Sequence, residues 1–159
     1  MIPNIKTIVY ASDISAGSRP AFRAAVSLAQ AYGAEIVFLH VMEPLPEGAY
    51  IMVRNVMGEK EMDRLHDEGV DYLKKTMHER MVAFFNEEME GIETTLNAES
   101  VKYQLAEGRP YEEILKTAAD TNADLIVMGT RKHHKFTTMG SVALKVLHHA
   151  ECPVHIVPL

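Results

Sequence analysis

Apolar residues in this chain fall into short continuous runs, which are separated by segments where apolar residues recur every three or four positions. The runs predict buried strands and the recurring spacing predicts amphipathic helices. We predict strands at about 5–12, 36–41, 99–106, 125–128 and 154–158. We predict helices at about 18–32, 59–90, 110–121 and 142–150.

Strands that alternate with helices are typical of a parallel sheet with helices on both faces. The 159 residues have the size of one domain, and the sequence contains no repeat or linker. We therefore predict a single α/β domain over residues 1–159. Its doubly wound, flavodoxin-like or Rossmann-like sheet should have five parallel strands in the order 3-2-1-4-5.

Three features between the strands refine this prediction. Gly33 is expected to end the helix at 18–32 as its C-cap. Residues 43–58 begin Glu-Pro-Leu-Pro-Glu-Gly and are predicted to be irregular, as a flap, a partner contact or a mobile connection. The helix at 59–90 is long enough to extend past the sheet or to bend near Gly69.

The last third of the chain contains a candidate anion site. A strand ending at Gly129 leads into a polar basic loop, and Gly140 and Ser141 then begin a helix. The first turn of a helix has unpaired N–H groups and partial positive charge, which suit a phosphate. Gly140 permits close approach to the backbone, and Ser141 adds a hydroxyl group. The alternative is an ordinary loop in which Ser141 only caps the helix.

Other polar residues are expected to meet at the same edge of the sheet. Ligands of open α/β sheets bind beyond the carboxyl ends of the strands, where the strand order reverses. Asp13, Val41 and Gly129 each follow or end a predicted strand, so they should converge there. Asp13 has a second, compatible interpretation as a helix cap or the start of an Asx-turn.

Six motifs in this order resemble the universal stress protein family, over essentially the whole chain apart from a variable middle. They are Ala-x-Asp-x-Ser at residues 11–15, Gly-Ala-Glu at 33–35 followed by His40-Val41, Glu-Gly-x-Pro at 107–110, Ala-Asp-Leu-Ile-Val-Met-Gly at 123–129, Gly-Ser-Val-Ala at 140–143, and His-Ala-Glu-Cys-Pro-Val at 149–154.

The resemblance implies a small stress-response protein that binds ATP, with Mg²⁺ accompanying the phosphates, and that acts through ligand-linked regulation or association. It also implies a homodimer, for which the terminal strand at 154–158 is a suitable edge. Arg131, Lys132 and Lys135 are added as phosphate contacts because of their charge and position. The expected nucleotide-binding residues are Ala11, Asp13, Val41, Gly129, Arg131, Lys132, Gly140, Ser141 and Val142.

The loop departs from the pattern of the family's ATP-binding members, Gly-x-x-Gly, nine residues, then Gly-Ser or Gly-Thr. Lys132 replaces the second glycine, and Gly140 comes two positions early. The side chain of Lys132 excludes backbone conformations that glycine allows, although its charge can replace part of the lost N–H contacts. The alternative is therefore the same fold without a nucleotide, acting as a dimeric protein-interaction module.

Composition bears on nucleic-acid binding, on membrane insertion and on the cellular compartment. A net charge of −6 argues against nucleic-acid binding, and no apolar run is long enough to predict a membrane span. A single cysteine and the lack of a recognisable signal segment indicate the cytoplasm.

The sequence has no recognisable catalytic motif, so we expect no dedicated enzyme and at most slow ATP hydrolysis. The pairs His133-His134 and His148-His149 lack a carboxylate or cysteine at ligand spacing, so no metal site is predicted. Cys152 is interpreted as a packed thiol rather than a nucleophile.

Overall fold

The computed structural model describes residues 2–131 and 139–159. The strands are β1 (Thr7–Ala11), β2 (Glu35–Met42), β3 (Lys102–Glu107), β4 (Leu125–Thr130) and β5 (Val154–Pro158). The helices are α1 (Arg19–Tyr32), α2 (Glu47–Met57), α3 (Glu59–Glu88), α4 (Pro110–Asp120) and α5 (Ser141–His149), and a 3₁₀ turn at Ala16–Ser18 precedes α1.

The strands form one parallel sheet in the order β3-β2-β1-β4-β5, which confirms the predicted 3-2-1-4-5 order. Strand order therefore reverses between β1 and β4, as in other doubly wound sheets. Asp124, which precedes β4, connects it to the start of β1. Its carboxylate accepts hydrogen bonds from the backbone N–H groups of Lys6 at 2.8 Å and Thr7 at 3.0 Å.

The two faces of β1 separate the core into two layers. Ile8 and Tyr10 point into a layer formed with α1 and α3, whereas Val9 and Ala11 point into a layer formed with α4 and α5. Aromatic rings dominate the first layer: Tyr10, Phe22, Phe38, Phe84 and Phe85.

Residues 43–58 are more regular than predicted. Helix α2 occupies most of the segment, from Glu47 after Pro46 to the turn at Gly58, where φ is 83°. The prediction was wrong because the Pro and Gly residues at 44–48 were taken as evidence against regular structure throughout. They only precede the helix and occupy its first turn, positions that tolerate them.

Helix α3 is continuous through Gly69 from Glu59 to Glu88, so the predicted long helix is confirmed without a break there. Its buried side chains, Met77, Met81, Phe84 and Phe85, all lie in the C-terminal half. The N-terminal half is largely exposed. Gly33 ends α1 as a left-handed C-cap with φ 66°, as predicted. Strand β3 begins at Lys102, later than the predicted start near residue 99.

No helix in the ranges 2–131 and 139–159 combines the length and apolar character needed to cross a membrane.

Candidate functional site

A crevice of about 310 Å³ lies beyond the carboxyl ends of β1, β2 and β4, at the reversal of strand order. Eight of the nine residues predicted for the site line it: Ala11, Asp13, Val41, Gly129, Arg131, Gly140, Ser141 and Val142. The ninth, Lys132, lies outside the described residues, as do Lys135 and the pair His133-His134. The parallel sheet brings these distant residues together because its carboxyl ends share one edge.

The loop after β1 holds Asp13 at the mouth of the crevice. The backbone N–H of Ser12 donates to the carbonyl oxygen of Leu39 at 3.0 Å, so the loop leaves the sheet only after Ser12. The Asp13 carboxylate then accepts the N–H of Ser15 at 3.0 Å. This is the Asx-turn expected from the sequence, and it leaves the second carboxylate oxygen for other partners.

Ile14 has an unusual backbone conformation in this loop, with φ at 60°. A β-branched side chain disfavours this region, and such strain persists only where the surrounding packing imposes it. The side chain of Ile14 is buried against the α1–α3 layer. Its burial therefore turns the neighbouring Asp13 side chain outward, toward the crevice.

Arg131 crosses the crevice to the Asp13 side. Its guanidinium group lies 2.8 Å from Asp13 Oδ2 and also donates to the Ser15 hydroxyl oxygen. Partial burial raises the pKa of the Asp13 carboxyl, but the hydrogen bonds from Ser15 and the charge of Arg131 outweigh it and lower the pKa overall. The structure pairs Arg131 with Asp13, and the phosphate contact that the sequence suggested for Arg131 stays a prediction.

The start of α5 forms the opposite wall. Gly140 is the N-cap residue and Ser141 is the first helical residue, so Ser141 does not cap the helix through its side chain. The N–H of Gly140 donates to Thr130 Oγ1 at 2.8 Å, and the first intrahelical bond runs from Leu144 N–H to the Gly140 carbonyl oxygen. Among residues 2–131 and 139–159, no group accepts a hydrogen bond from the N–H groups of Ser141, Val142 or Ala143, and such groups suit an anion.

A family model described as the universal stress protein family matches residues 4–158. The chain belongs to this family. A universal stress protein of Thermus aquaticus is 32% identical over 154 residues, which cover 96% of this chain and 98% of that protein.

Solved structures of the family share the fold. The universal stress protein UspA of Lactobacillus plantarum superposes with a TM-score of 0.71 at 24% identity, covering 98% of this chain and 99% of that one. A universal stress protein of Archaeoglobus fulgidus in complex with dAMP gives a TM-score of 0.59 at 23% identity, covering 98% and 99%. Some relatives therefore bind adenine nucleotides.

Three further residues, which were not predicted from the sequence, also line the crevice. His40, which appeared only within a family motif, fixes the Asp13 loop, with Nδ1 2.8 Å from the Ser12 carbonyl oxygen. Thr130 holds Gly140, as described above. Leu159 packs over Gly129 so closely that a Cβ at residue 129 would lie 2.4 Å from its Cδ1. No local pattern marks the terminal Leu159 as a contact of β4.

The remaining candidate side chains do not form a metal centre within the described ranges, since no three His, Cys, Asp or Glu side chains come together there. His148 and His149 lie in the last turn of α5. Cys152 is half-buried against the α4–α5 layer, and burial raises the pKa of its thiol. A raised thiol pKa lowers the thiolate fraction, which opposes a nucleophilic role.

Proposed function

We propose that this chain is a cytoplasmic stress-response protein that binds an adenine nucleotide, specifically ATP, in the crevice beyond β1 and β4. The observation that carries the proposal is that Asp13 and the first turn of α5 line the same cavity. The dAMP complex of the Archaeoglobus fulgidus relative supports an adenine nucleotide as the class of ligand.

The two walls of the crevice suit the two ends of a nucleotide. The N–H groups at the start of α5 and the Ser141 hydroxyl group would donate to phosphate oxygens, with Mg²⁺ on the same phosphates. Asp13 and the backbone near Ala11 and Val41 would face the nucleoside. Because Arg131 reaches Asp13 in this structure, it would screen Asp13 from the phosphate charge.

The proposed action is regulation rather than dedicated catalysis. Bound nucleotide contacts the β1–α1 loop, β2 and α5 together, so it favours one arrangement of these elements. Occupancy of the crevice would thereby change how the protein associates with itself or with other proteins. Any hydrolysis of ATP is expected to be slow.

Calorimetric titration with Mg-ATP tests this function, after mass spectrometry of the purified protein for nucleotide retained from the cell. We expect saturable binding by the wild type and about tenfold or greater weakening by Asp13→Ala, since hydrogen bonds to charged groups contribute about 1.5–3 kcal/mol. Asp120→Ala is the matched control, because Asp120 is an exposed residue at the end of α4. Absence of heat and of any melting-temperature shift at millimolar ATP would overturn the proposal.

A second candidate function is a dimeric protein-interaction module that binds no nucleotide. Helix α2 favours it, because none of its residues is buried and it exposes Ile51, Met52 and Val56. Exposed apolar side chains grouped on one element are typical of protein-binding surfaces. This function becomes the preferred one if the wild type does not bind ATP.

Both functions include a homodimer formed through the outer edge of β5, with which no described strand pairs. The N–H of Ile126 donates to the Pro153 carbonyl oxygen and the N–H of Leu159 donates to the Thr130 carbonyl oxygen. In a parallel ladder alternate residues face the same neighbour, so the backbone groups of Val154 and Ile156 point away from β4. They are available to a second copy of the strand.

Ile156→Pro should therefore weaken the dimer, because proline removes an outward N–H without removing a bond to β4. Light scattering should give about twice the 17.8 kDa chain mass for the wild type and about the chain mass for the variant. Ile156→Val keeps the N–H and should remain dimeric. A monomeric wild type, or a dimeric Ile156→Pro variant that is folded, would contradict the β5 interface.

A further inference from the structure

Helix α2 has an apolar face that is only partly covered. Four of its apolar residues recur at the i, i+3, i+4, i+7 spacing that places side chains on one face of a helix: Ala49, Met52, Val53 and Val56. Ala49 and Val53 are half-buried, whereas Met52 is 66% exposed and Val56 is 82% exposed. The outer part of this face therefore meets solvent.

A helix of this length needs a surface to pack on. Helix α2 has 11 residues, and isolated helices shorter than about 12–15 residues are marginal in water. Most of the stability of a helix in a protein comes from packing of its amphipathic face, yet α2 contains no buried residue. A partner that covers Met52 and Val56 would supply packing that is missing within residues 2–131 and 139–159.

The exposed half of α3, which follows α2 after the turn at Gly58, carries a row of negative charge. Four exposed acidic residues recur at every fourth position and so form one row along the helix: Glu59, Asp63, Asp67 and Asp71. Like charges at this spacing destabilise a helix by about 0.2–0.5 kcal/mol for each pair. Within the described part of the chain, none of the four forms an ion pair with a lysine or an arginine. Cations from a partner would relieve this repulsion.

The charge of the whole segment indicates the chemistry of the partner. Residues 43–72 contain eight acidic and three basic side chains, a net charge of −5 in a chain whose total is −6. One of the three cations, Arg64, is already paired with Glu61 and Glu68. A second copy of this chain would bring the same negative charge to the contact, so like-charge repulsion disfavours it. A positively charged partner is favoured for the same reason.

We propose that α2 and the exposed half of α3 form a docking surface for a basic amphipathic helix of another protein. The apolar face of that helix would cover Met52 and Val56, and its lysine and arginine side chains would lie against the acidic row. Recognition between helices depends on apolar residues at i, i+3 and i+4 spacing, and flanking charges then select the partner. The proposal gives a partner class to the interaction function above, on which it rests, and it needs no nucleotide in the crevice.

Fluorescence anisotropy tests this surface with a labelled peptide of about 18 leucine and lysine residues, patterned as an amphipathic helix. The paired probe has glutamate in place of every lysine. We expect saturable binding of the lysine peptide and no binding of the glutamate peptide. Added salt should weaken binding, because it screens interactions between exposed charges.

A first pair of variants tests the apolar contact. Met52→Ser combined with Val56→Ser should weaken binding of the lysine peptide about tenfold or more, since burial of one such side chain contributes about 1.5–3 kcal/mol. Ile2→Ser combined with Ile92→Ser is the matched control, because it removes two exposed aliphatic side chains outside α2. The control should bind the peptide like the wild type.

A second pair of variants tests the acidic row. Asp63→Lys combined with Asp71→Lys should weaken binding about fivefold or more, because it replaces two attractive contacts by repulsion. Glu93→Lys combined with Asp120→Lys makes the same change of net charge at exposed positions outside the row. It should leave the affinity close to that of the wild type.

Melting curves and light scattering of each variant complete the test. Folded Met52→Ser, Val56→Ser protein should keep the oligomeric state of the wild type, and a change to a smaller species would assign the α2 face to a second copy and overturn the proposal. The proposal is also overturned if the lysine peptide does not bind, if the glutamate peptide binds equally, if the folded α2 variant keeps its affinity, or if both charge variants lose it equally. The titration contains no ATP, so its failure is distinguishable from failure of the nucleotide proposal.

Discussion

Replacing Phe22 by alanine should lower the free energy of unfolding by about 3–5 kcal/mol, the usual loss for a large aromatic side chain in a packed core. Phe22 is 1% exposed, and its ring centroid lies 5.1 Å from that of Tyr10 and 4.5 Å from that of Phe84. From α1, the Phe22 side chain therefore packs against both the sheet and α3. The loss is a large fraction of the about 5–15 kcal/mol that stabilises a typical domain.

Urea denaturation followed by circular dichroism measures this change. Tyr32→Ala is the control, because it removes an aromatic side chain from the same helix at a position that is 52% exposed. That change should stay within about 0.5 kcal/mol of the wild type, as for most surface substitutions. Equal losses in the two variants would show that the aromatic cluster does not hold the layer together.

If the crevice binds ATP as proposed, replacing Gly140 by valine should weaken that binding about 100-fold, equivalent to about 2.7 kcal/mol. Gly140 lines the crevice at the start of α5, and an added Cβ would already lie 3.2 Å from Thr130 Oγ1. The branched side chain would occupy the space through which a phosphate approaches the helix. The fold should persist, because φ −65° and ψ 153° at this position suit any residue.

The comparison uses calorimetric titration with Mg-ATP and melting temperatures of both proteins without ligand. Gly48→Val is the matched control, since an added Cβ at Gly48 meets no atom within 4 Å and the residue lies on α2. It should bind ATP like the wild type. Retained affinity in folded Gly140→Val would place the nucleotide away from α5.

The sheet was predictable because its evidence is repeated along the chain. The continuous apolar runs of β1, β2 and β4 indicate strands that are buried on both faces. The alternation of strands and helices then limits the topology to few arrangements. The location of the candidate site follows from that topology, because Asp13 and Gly129 end strands that must be neighbours.

Helix α2 was missed for a different reason. A helix is recognised in a sequence when burial of one face selects apolar residues at regular spacing. Helix α2 buries none of its residues, yet Tyr50, Val53 and Met57 recur at helical spacing, so the signal was present in the sequence. The Pro and Gly residues before and within its first turn were then given too much weight.

Local sequence determined the strands and most of the helices, because periodic burial marks each element, and the alternation of strands and helices limited the sheet order to a few arrangements. Only the tertiary structure decided which side chains contact each other across the carboxyl edge of the sheet. Arg131 reaches Asp13 and Leu159 covers Gly129. Such contacts join residues far apart in the chain, so they depend on how finished elements pack and leave no periodic trace in the sequence.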